Sequence, residues 1–177
     1  MKNEKFPCLI ILVFFLLIFF KTSVFAESSY VLPYPSSMPG SLSYKLHLIY
    51  ENISKYWYFG DFGQFDYNLK MTDKYLVESK TLFEYKQYLL GYKALQKSDQ
   101  YFISALPNLI RAERNGKNSF QGVAELKGTA QKHTEVLSKL QQEVPQNFIW
   151  TPEDAKPTNL NLKDAIDKSI EIRNKYL

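Results

Sequence analysis

The sequence predicts an all-α protein: an antiparallel helical bundle of about four main helices plus a short C-terminal helix, preceded by a signal peptide. Three observations carry this. Between Phe65 and Leu106, residues recur at steps of three and four, first Phe65, Leu69, Thr72, Leu76 and Ser79, then Tyr85, Leu89, Tyr92, Leu95, Phe102 and Leu106. That is the period of a helical face. From Val123 to Val144 the same spacing passes through Leu126, Ala130, His133, Leu137 and Leu140, a narrow seam suited to lying along a partner helix. Stop signals bound these runs: Phe59-Gly60-Asp61-Phe62-Gly63, Asn115-Gly116-Lys117 and Pro145.

Residues 1–26 are read as the signal peptide. Lys2 and Lys5 precede an apolar run from Phe6 to Phe20, and small residues at Val24 and Ala26 place cleavage between Ala26 and Glu27. The run of 15 residues is shorter than the roughly 20 a spanning helix needs. The alternative is a retained anchor, with Phe6 to Ala26 just spanning and Lys21 snorkelling. Membrane contact is expected only through this segment, and only if it stays. The sole cysteine, Cys8, lies within it, so the mature chain has no disulfide, thiol nucleophile or thiolate metal site. The mature chain from Glu27 to Leu177 suits one domain held by its apolar core. Loss of three lysines and one glutamate with the leader takes the formal net charge from +4 to +2. No basic cluster is evident, which argues against nucleic acid as a partner.

Residues 27–40 form a proline-rich extended arm, since Pro33, Pro35 and Pro39 push their predecessors out of helical geometry. Its Tyr30, Val31, Leu32 and Tyr34 imply that it lies against the bundle. Residues 41–145 are the bundle. Leu46, Ile49, Tyr50, Ile53 and Trp57 mark a first helix, with Ser41 or Ser43 as its N-cap and the two-glycine turn at its end. The hairpin is expected to turn at Thr81, where Thr81-Leu82-Phe83-Glu84 has the form of a capping box. So short a connection makes its two helices antiparallel. Pro107 predicts a kink, or two helices in series meeting near Leu106. The next helix runs from about Ser119 to Glu143, with Asn118 and Gln121 spaced for a cap.

Residues 146–177 form a C-terminal loop and short helix. Thr151-Pro152-Glu153-Asp154 has the form of a helix start that Pro157 limits to a turn. Leu162 to Tyr176 is the last helix, with Leu162, Ile166, Ile170 and Tyr176 inward. Because 12 of the 13 tyrosines lie between Tyr30 and Tyr101, the first half is the expected core.

The residues offer little chemistry. His47 and Glu51 are one turn apart and positioned to hydrogen-bond, while His133 falls on the seam, where a core histidine with a backbone or tyrosine partner is expected. A metal site would need further ligands converging on His47 or His133. Isolated Met38 and Met71 imply no copper site. Asp73, Glu78, Glu84 and Asp99 are the carboxylates able to approach across the hairpin, but helix-borne charges usually form a solvated face. No nucleophile turn and no glycine-rich phosphate loop is present. No catalytic residue and no cofactor is expected. Tyr56, Trp57, Tyr58, Phe59 and Phe62 are too many to face one way. The favoured reading has them closing the end of the core; any left exposed, with Tyr56, Trp57 and Tyr58 the binding candidates, would suit a glycan or a protein partner. Asn52-Ile53-Ser54 is a glycosylation sequon only in a host with that machinery.

Tyr30-Val31-Leu32-Pro33-Tyr34-Pro35, Met38-Pro39-Gly40 and Tyr44-Lys45-Leu46 together resemble the start of a bacterial family known as a domain of unknown function, number fifty-six sixty-seven. Thr72 to Lys80 is similar to that family's central helix, with Tyr75 where arginine is common, and Lys132 to Leu137 to its histidine-bearing last helix. The resemblance spans about Tyr30 to Val144 and implies an exported, helical domain with no assigned activity. The expectation is therefore an exported, non-catalytic protein of the cell envelope that contacts another envelope protein or a cell-wall component. The contact surface would be the aromatics near Trp57 or the polar face of the helix from Ser119 to Glu143. The alternative is an extracytoplasmic metal or small-ligand sensor using His47 or His133.

Overall fold

A computed structural model describes residues 28–35, 37–154 and 156–177. The expected leader and its cleavage point at Ala26 and Glu27 lie outside the described residues. The elements in chain order are α1 Leu42–Ser54, α2 Gly60–Glu84, α3 Tyr88–Arg114, α4 Phe120–Glu143, β1 Asn147–Trp150, β2 Thr158–Asn161 and α5 Leu162–Asn174. The protein is an all-α bundle with a short C-terminal helix and one small β-hairpin.

The spine is the antiparallel pair α2 and α3. Hydrogen bonds Ser79–Gly91, Thr72–Ser98, Asn68–Ser104 and Arg111–Asp61 step in opposite directions along the two helices. The predicted inward residues of α2, Phe65, Leu69, Thr72, Leu76 and Ser79, are all buried. Gly91 lets the helices close, because a Cβ there would stand 3.0 Å from the Phe83 ring.

The turn is not at Thr81. Leu82 and Phe83 are buried, so α2 gains by continuing one more turn. The Thr81 hydroxyl donates back to the Val77 carbonyl at 2.9 Å, and Glu84 pairs with Lys80 instead of capping. The chain reverses at Tyr85–Gln87, where Gln87 N–H bonds Leu82 C=O and Lys86 N–H bonds Phe83 C=O, at 2.8 and 2.9 Å. This is a Schellman ending with Lys86 in the left-handed position, φ 59°. Tyr85, expected inward, is exposed on this turn. The same ending recurs after α3 with glycine in that place, Gly116 at φ 73°.

Pro107 does not divide α3, which runs through it as one helix. The proline faces solvent while Ala105, Leu109 and Ala112 on the other side are buried, so packing offsets the lost hydrogen bond. Of the two-glycine turn, only Gly60 makes the bend; Asp61 to Gly63 already belong to α2. Ser41 is the N-cap of α1, accepting from Tyr44 N–H at 3.1 Å. Before α4, Asn118 accepts from Phe120 N–H at 2.9 Å, and the Ser119 hydroxyl donates to Glu113.

The tail departs further from expectation. Thr151 to Asp154 is not a helix start but the connection of the β-hairpin, paired from Asn147 opposite Asn161 to Trp150 opposite Thr158. Phe148 and Leu160, cross-strand partners, both pack onto the core and hold this geometry.

Nor is the core confined to the tyrosine-rich first half. It lies among α2, α3, α4 and α5, in two apolar blocks, with a smaller cluster of Tyr67, Met71 and Tyr75 on α2 packed against Tyr58 and Tyr101. One block contains Leu76, Phe83, Leu95, Leu137, Leu140 and Ile166; the other contains Phe65, Leu69, Phe102, Leu109, Leu126 and Ala130. The seam read on α4 is buried at Leu126, Ala130, His133, Leu137, Leu140 and Val144. The arm does lie against the bundle. Ser28 N–H donates to Glu135 at 2.6 Å, Tyr30 reaches Asp73, and Leu32 packs on the first block, leaving Val31 and Tyr34 outside.

A left-handed backbone costs a non-glycine residue roughly 1–2 kcal/mol. Lys86→Gly should therefore stabilise the protein by about 1 kcal/mol and raise Tm by a few degrees, checked by thermal and urea unfolding.

Candidate functional site

The feature that stands out is the mounting of α1. Its apolar stripe, expected to face the bundle, faces away from it. Leu42, Leu46, Ile49 and Ile53 are 81%, 68%, 57% and 49% exposed, while the buried residues of this helix are Glu51 and Ser54. The aromatics continue the stripe. Tyr56, Trp57 and Phe59 are 67%, 62% and 82% exposed, and Trp57 meets the edge of Tyr50 at 6.1 Å. Those three do not close the core. Tyr58, the third binding candidate, is half-buried against Tyr67 at 5.4 Å, and Phe62 packs on the second apolar block.

Polar side chains hold the inward face. The Glu51 carboxylate accepts from Lys74 and, at 3.0 Å, from the Tyr75 hydroxyl, while Tyr67 donates to the Glu51 carbonyl at 3.1 Å. One helical turn along α2, Glu78 accepts from Tyr44 at 2.8 Å and sits 3.7 Å from Lys74. Burial raises the Glu78 carboxyl, opposed by the Tyr44 hydrogen bond and the Lys74 charge. Burial first, then neighbouring carboxylates, push the hydroxyls of Tyr44 and Tyr75 well up, so both remain donors. Tyr75 is stacked 5.7 Å from Tyr101, with Lys74 and Lys97 over its ring at 4.4 and 4.8 Å. Between α1 and the α2–α3 pair lies an open cleft of about 520 Å³, walled by Glu51, Asn52, Asn68, Tyr75, Lys97 and Tyr101.

The second notable cluster is internal. Between the two apolar blocks runs a polar layer to which all four core helices contribute. Arg173 on α5 is 0% exposed; its guanidinium donates to Asp99 at 2.5 Å, to Ser98 Oγ at 2.9 Å and, through Nε, to His133 Nδ1 at 3.1 Å. An imidazole nitrogen that accepts from arginine is unprotonated, so the His133 proton is on Nε2, 2.8 Å from Asp73 Oδ1. Tyr30 donates to the other oxygen of Asp73 at 2.7 Å. Burial pulls the His133 pKa down to about 4; the Asp73 hydrogen bond opposes this and the Arg173 charge adds to it. Burial also lowers Arg173, against the pull of Asp99.

The structure does not bring the candidate histidines together. His47 is on the surface of α1, where Nδ1 lies 2.8 Å from the Ser43 carbonyl and 3.0 Å from Ser37 Oγ; it does not pair with Glu51. His133 has both nitrogens engaged, by Asp73 and Arg173 rather than by a backbone or tyrosine partner. Among the described residues no group of three or more His, Cys, Asp or Glu is placed to hold a metal ion. None of the four hairpin carboxylates pairs with another: Asp73, Glu78, Glu84 and Asp99 are each bound to different donors, and Asp73 and Asp99 share the polar layer only through His133 and Arg173. Arg173 and Ser169 escaped sequence reasoning, although both fall on the inward spacing of Leu162 and Ile166. No family model, no curated protein and no solved structure matches the chain.

This geometry is open to two tests. Glu51→Ala removes the acceptor at the centre of the α1 mounting and should cost about 2 kcal/mol. It should appear in hydrogen exchange as at least tenfold lost protection across α1, with α2 to α5 unchanged. Neutral in the fold and titrating near 6.5 when unfolded, His133 makes stability fall as pH drops from about 6.5 to about 4. The expected loss is about 3 kcal/mol. His133→Gln keeps one donor and one acceptor without titrating, so the difference between the two proteins' urea stabilities should vanish or reverse toward pH 4.

Proposed function

We propose that this chain is an exported, non-catalytic interaction protein of the bacterial cell envelope, and that the outward face of α1 is its contact surface. The observation that carries the reading is the inverted mounting: apolar residues out, a carboxylate in. Monomeric proteins rarely expose contiguous apolar patches beyond a few hundred Å². Leu42, Leu46, Ile49, Tyr50 and Ile53 are each about half exposed or more, and they form one stripe rather than scattered residues. An envelope location is supported by the leader pattern of residues 1–26 and by the resemblance in the arm. No helix among the described residues is long and apolar enough to cross a membrane. The sensor alternative draws no support from His133, whose two nitrogens are engaged inside the core.

The test is site-specific photo-crosslinking in cells producing the full chain. A photoreactive residue replacing Ile49 should yield defined adducts, whereas one replacing the exposed Lys127 on α4 should not. Equal or absent adducts at both positions would overturn the reading. Trp57→Ala should weaken the Ile49 adducts several-fold without lowering Tm by more than a degree or so.

A further inference from the structure

We infer that the outward face of α1 pairs with the same face of a second copy, making the protein a homodimer. The inference rests on the proposed contact role of α1 and names its partner. Leu42, Leu46, Ile49 and Ile53 of α1 are separated by four, three and four residues, and Tyr56 follows three residues later in the turn after the helix. That alternation is the seam of a two-helix coiled coil, in which each side chain enters a gap on the facing helix. All five are exposed, the least of them Ile53 at 49%. Tyr50 and Trp57 flank the seam on one side and widen it.

Charge selects the occupant. Lys45 is the only exposed charged residue within α1, because Glu51 is turned into the bundle, and Lys55 just past its end lies with its ammonium over the Tyr56 ring at 4.9 Å. Helices that lie in a membrane surface carry a lysine- and arginine-rich polar face toward the headgroups. The polar face of α1 is instead engaged with Lys74, Tyr75 and Tyr67. An uncharged seam meets an identical seam without opposing like charges, and two-fold pairing of one patch with itself is the commonest route to a dimer. Geometry permits it: the bundle is attached to the face opposite the seam, so two copies would carry their bundles on the outside while their α1 axes approach to the ~8–10 Å of packed helices. The exposed seam and its flanks amount to on the order of 1,000 Å² per copy, so covering most of it reaches the roughly 1,200–2,000 Å² of a specific interface.

The experiment is sedimentation velocity on protein purified after expression of the full chain with its own leader, over a dilution series reaching high micromolar. The wild type should sediment as a dimer that dissociates on dilution. Ile49→Asp combined with Ile53→Asp should raise the dissociation constant at least about tenfold, with unchanged helical circular dichroism. Should that variant lose helix, Ile49→Cys in a Cys8→Ser background supplies the second measurement, since a short bismaleimide should then link two copies in high yield. A wild type that stays monomeric throughout, or a dimer indifferent to both aspartates and unlinked at Ile49, overturns the pairing. Flotation with anionic phospholipid vesicles is the remaining arm. A monomer that floats, and whose aspartate variant does not, overturns the pairing in favour of a lipid surface yet leaves α1 as the contact face. A monomer that neither floats nor gives Ile49 adducts in cells overturns both readings.

Discussion

A single buried guanidinium sets the terms for this fold. Arg173 has no exposed surface, and a charge so placed is tolerated only when its donors are satisfied and a counter-charge is close. Asp99 supplies the counter-charge; Ser98, Ser169 and the unprotonated nitrogen of His133 take the remaining directions. Those partners stand on three different helices, and His133 passes the requirement on to Asp73 on a fourth. Sliding any one helix by a turn would strand a charge in the interior, at a cost of several kcal/mol. The layer thus ties together the relative heights of α2, α3, α4 and α5.

The division of labour is visible along each helix. On α2, Phe65 and Leu69 belong to one apolar block, Thr72 and Asp73 to the layer, and Leu76 and Phe83 to the other block. On α4 the order is Leu126 and Ala130, then His133, then Leu137 and Leu140. α1 is attached by other means, through Glu51, Glu78 and the tyrosines that donate to them. A contact made of hydrogen bonds and ion pairs, with little apolar packing beside them, opens at a lower free energy than a packed core. The molecule therefore has a four-helix body and a less strongly held further helix that carries an exposed apolar stripe.

Helix identity was legible in the sequence because burial repeats every three to four residues, and α4 was legible nearly residue by residue, His133 included. The same rule misled at α1. Leu46, Ile49 and Ile53 spell an amphipathic helix, but periodicity reports that a stripe exists and not which body covers it. The turn at Thr81 failed for a different reason. Threonine followed three residues later by glutamate marks a helix start only where the chain is free to break, and buried Leu82 and Phe83 outweigh a cap worth ~1 kcal/mol. The hairpin at Asn147–Asn161 was hidden because four-residue strands carry too few alternations to register, and Thr151-Pro152 mimics a helix start. Arg173 was missed since an arginine at a seam position reads as a solvated residue until Asp99 is seen opposite it.

The fastening of the arm bears on how this protein would respond to being pulled. Ser28 is tied to Glu135 and to the Gly128 carbonyl, and Tyr30 to Asp73. Traction applied upstream of residue 28, as from a retained hydrophobic leader embedded in a bilayer, would load α4 first and then, through the phenol of Tyr30, the carboxylate that orients His133. α1 lies downstream of that attachment and would feel none of the strain until those ties gave way. The fold thus separates the point where a tether would tug from the exposed apolar face of α1.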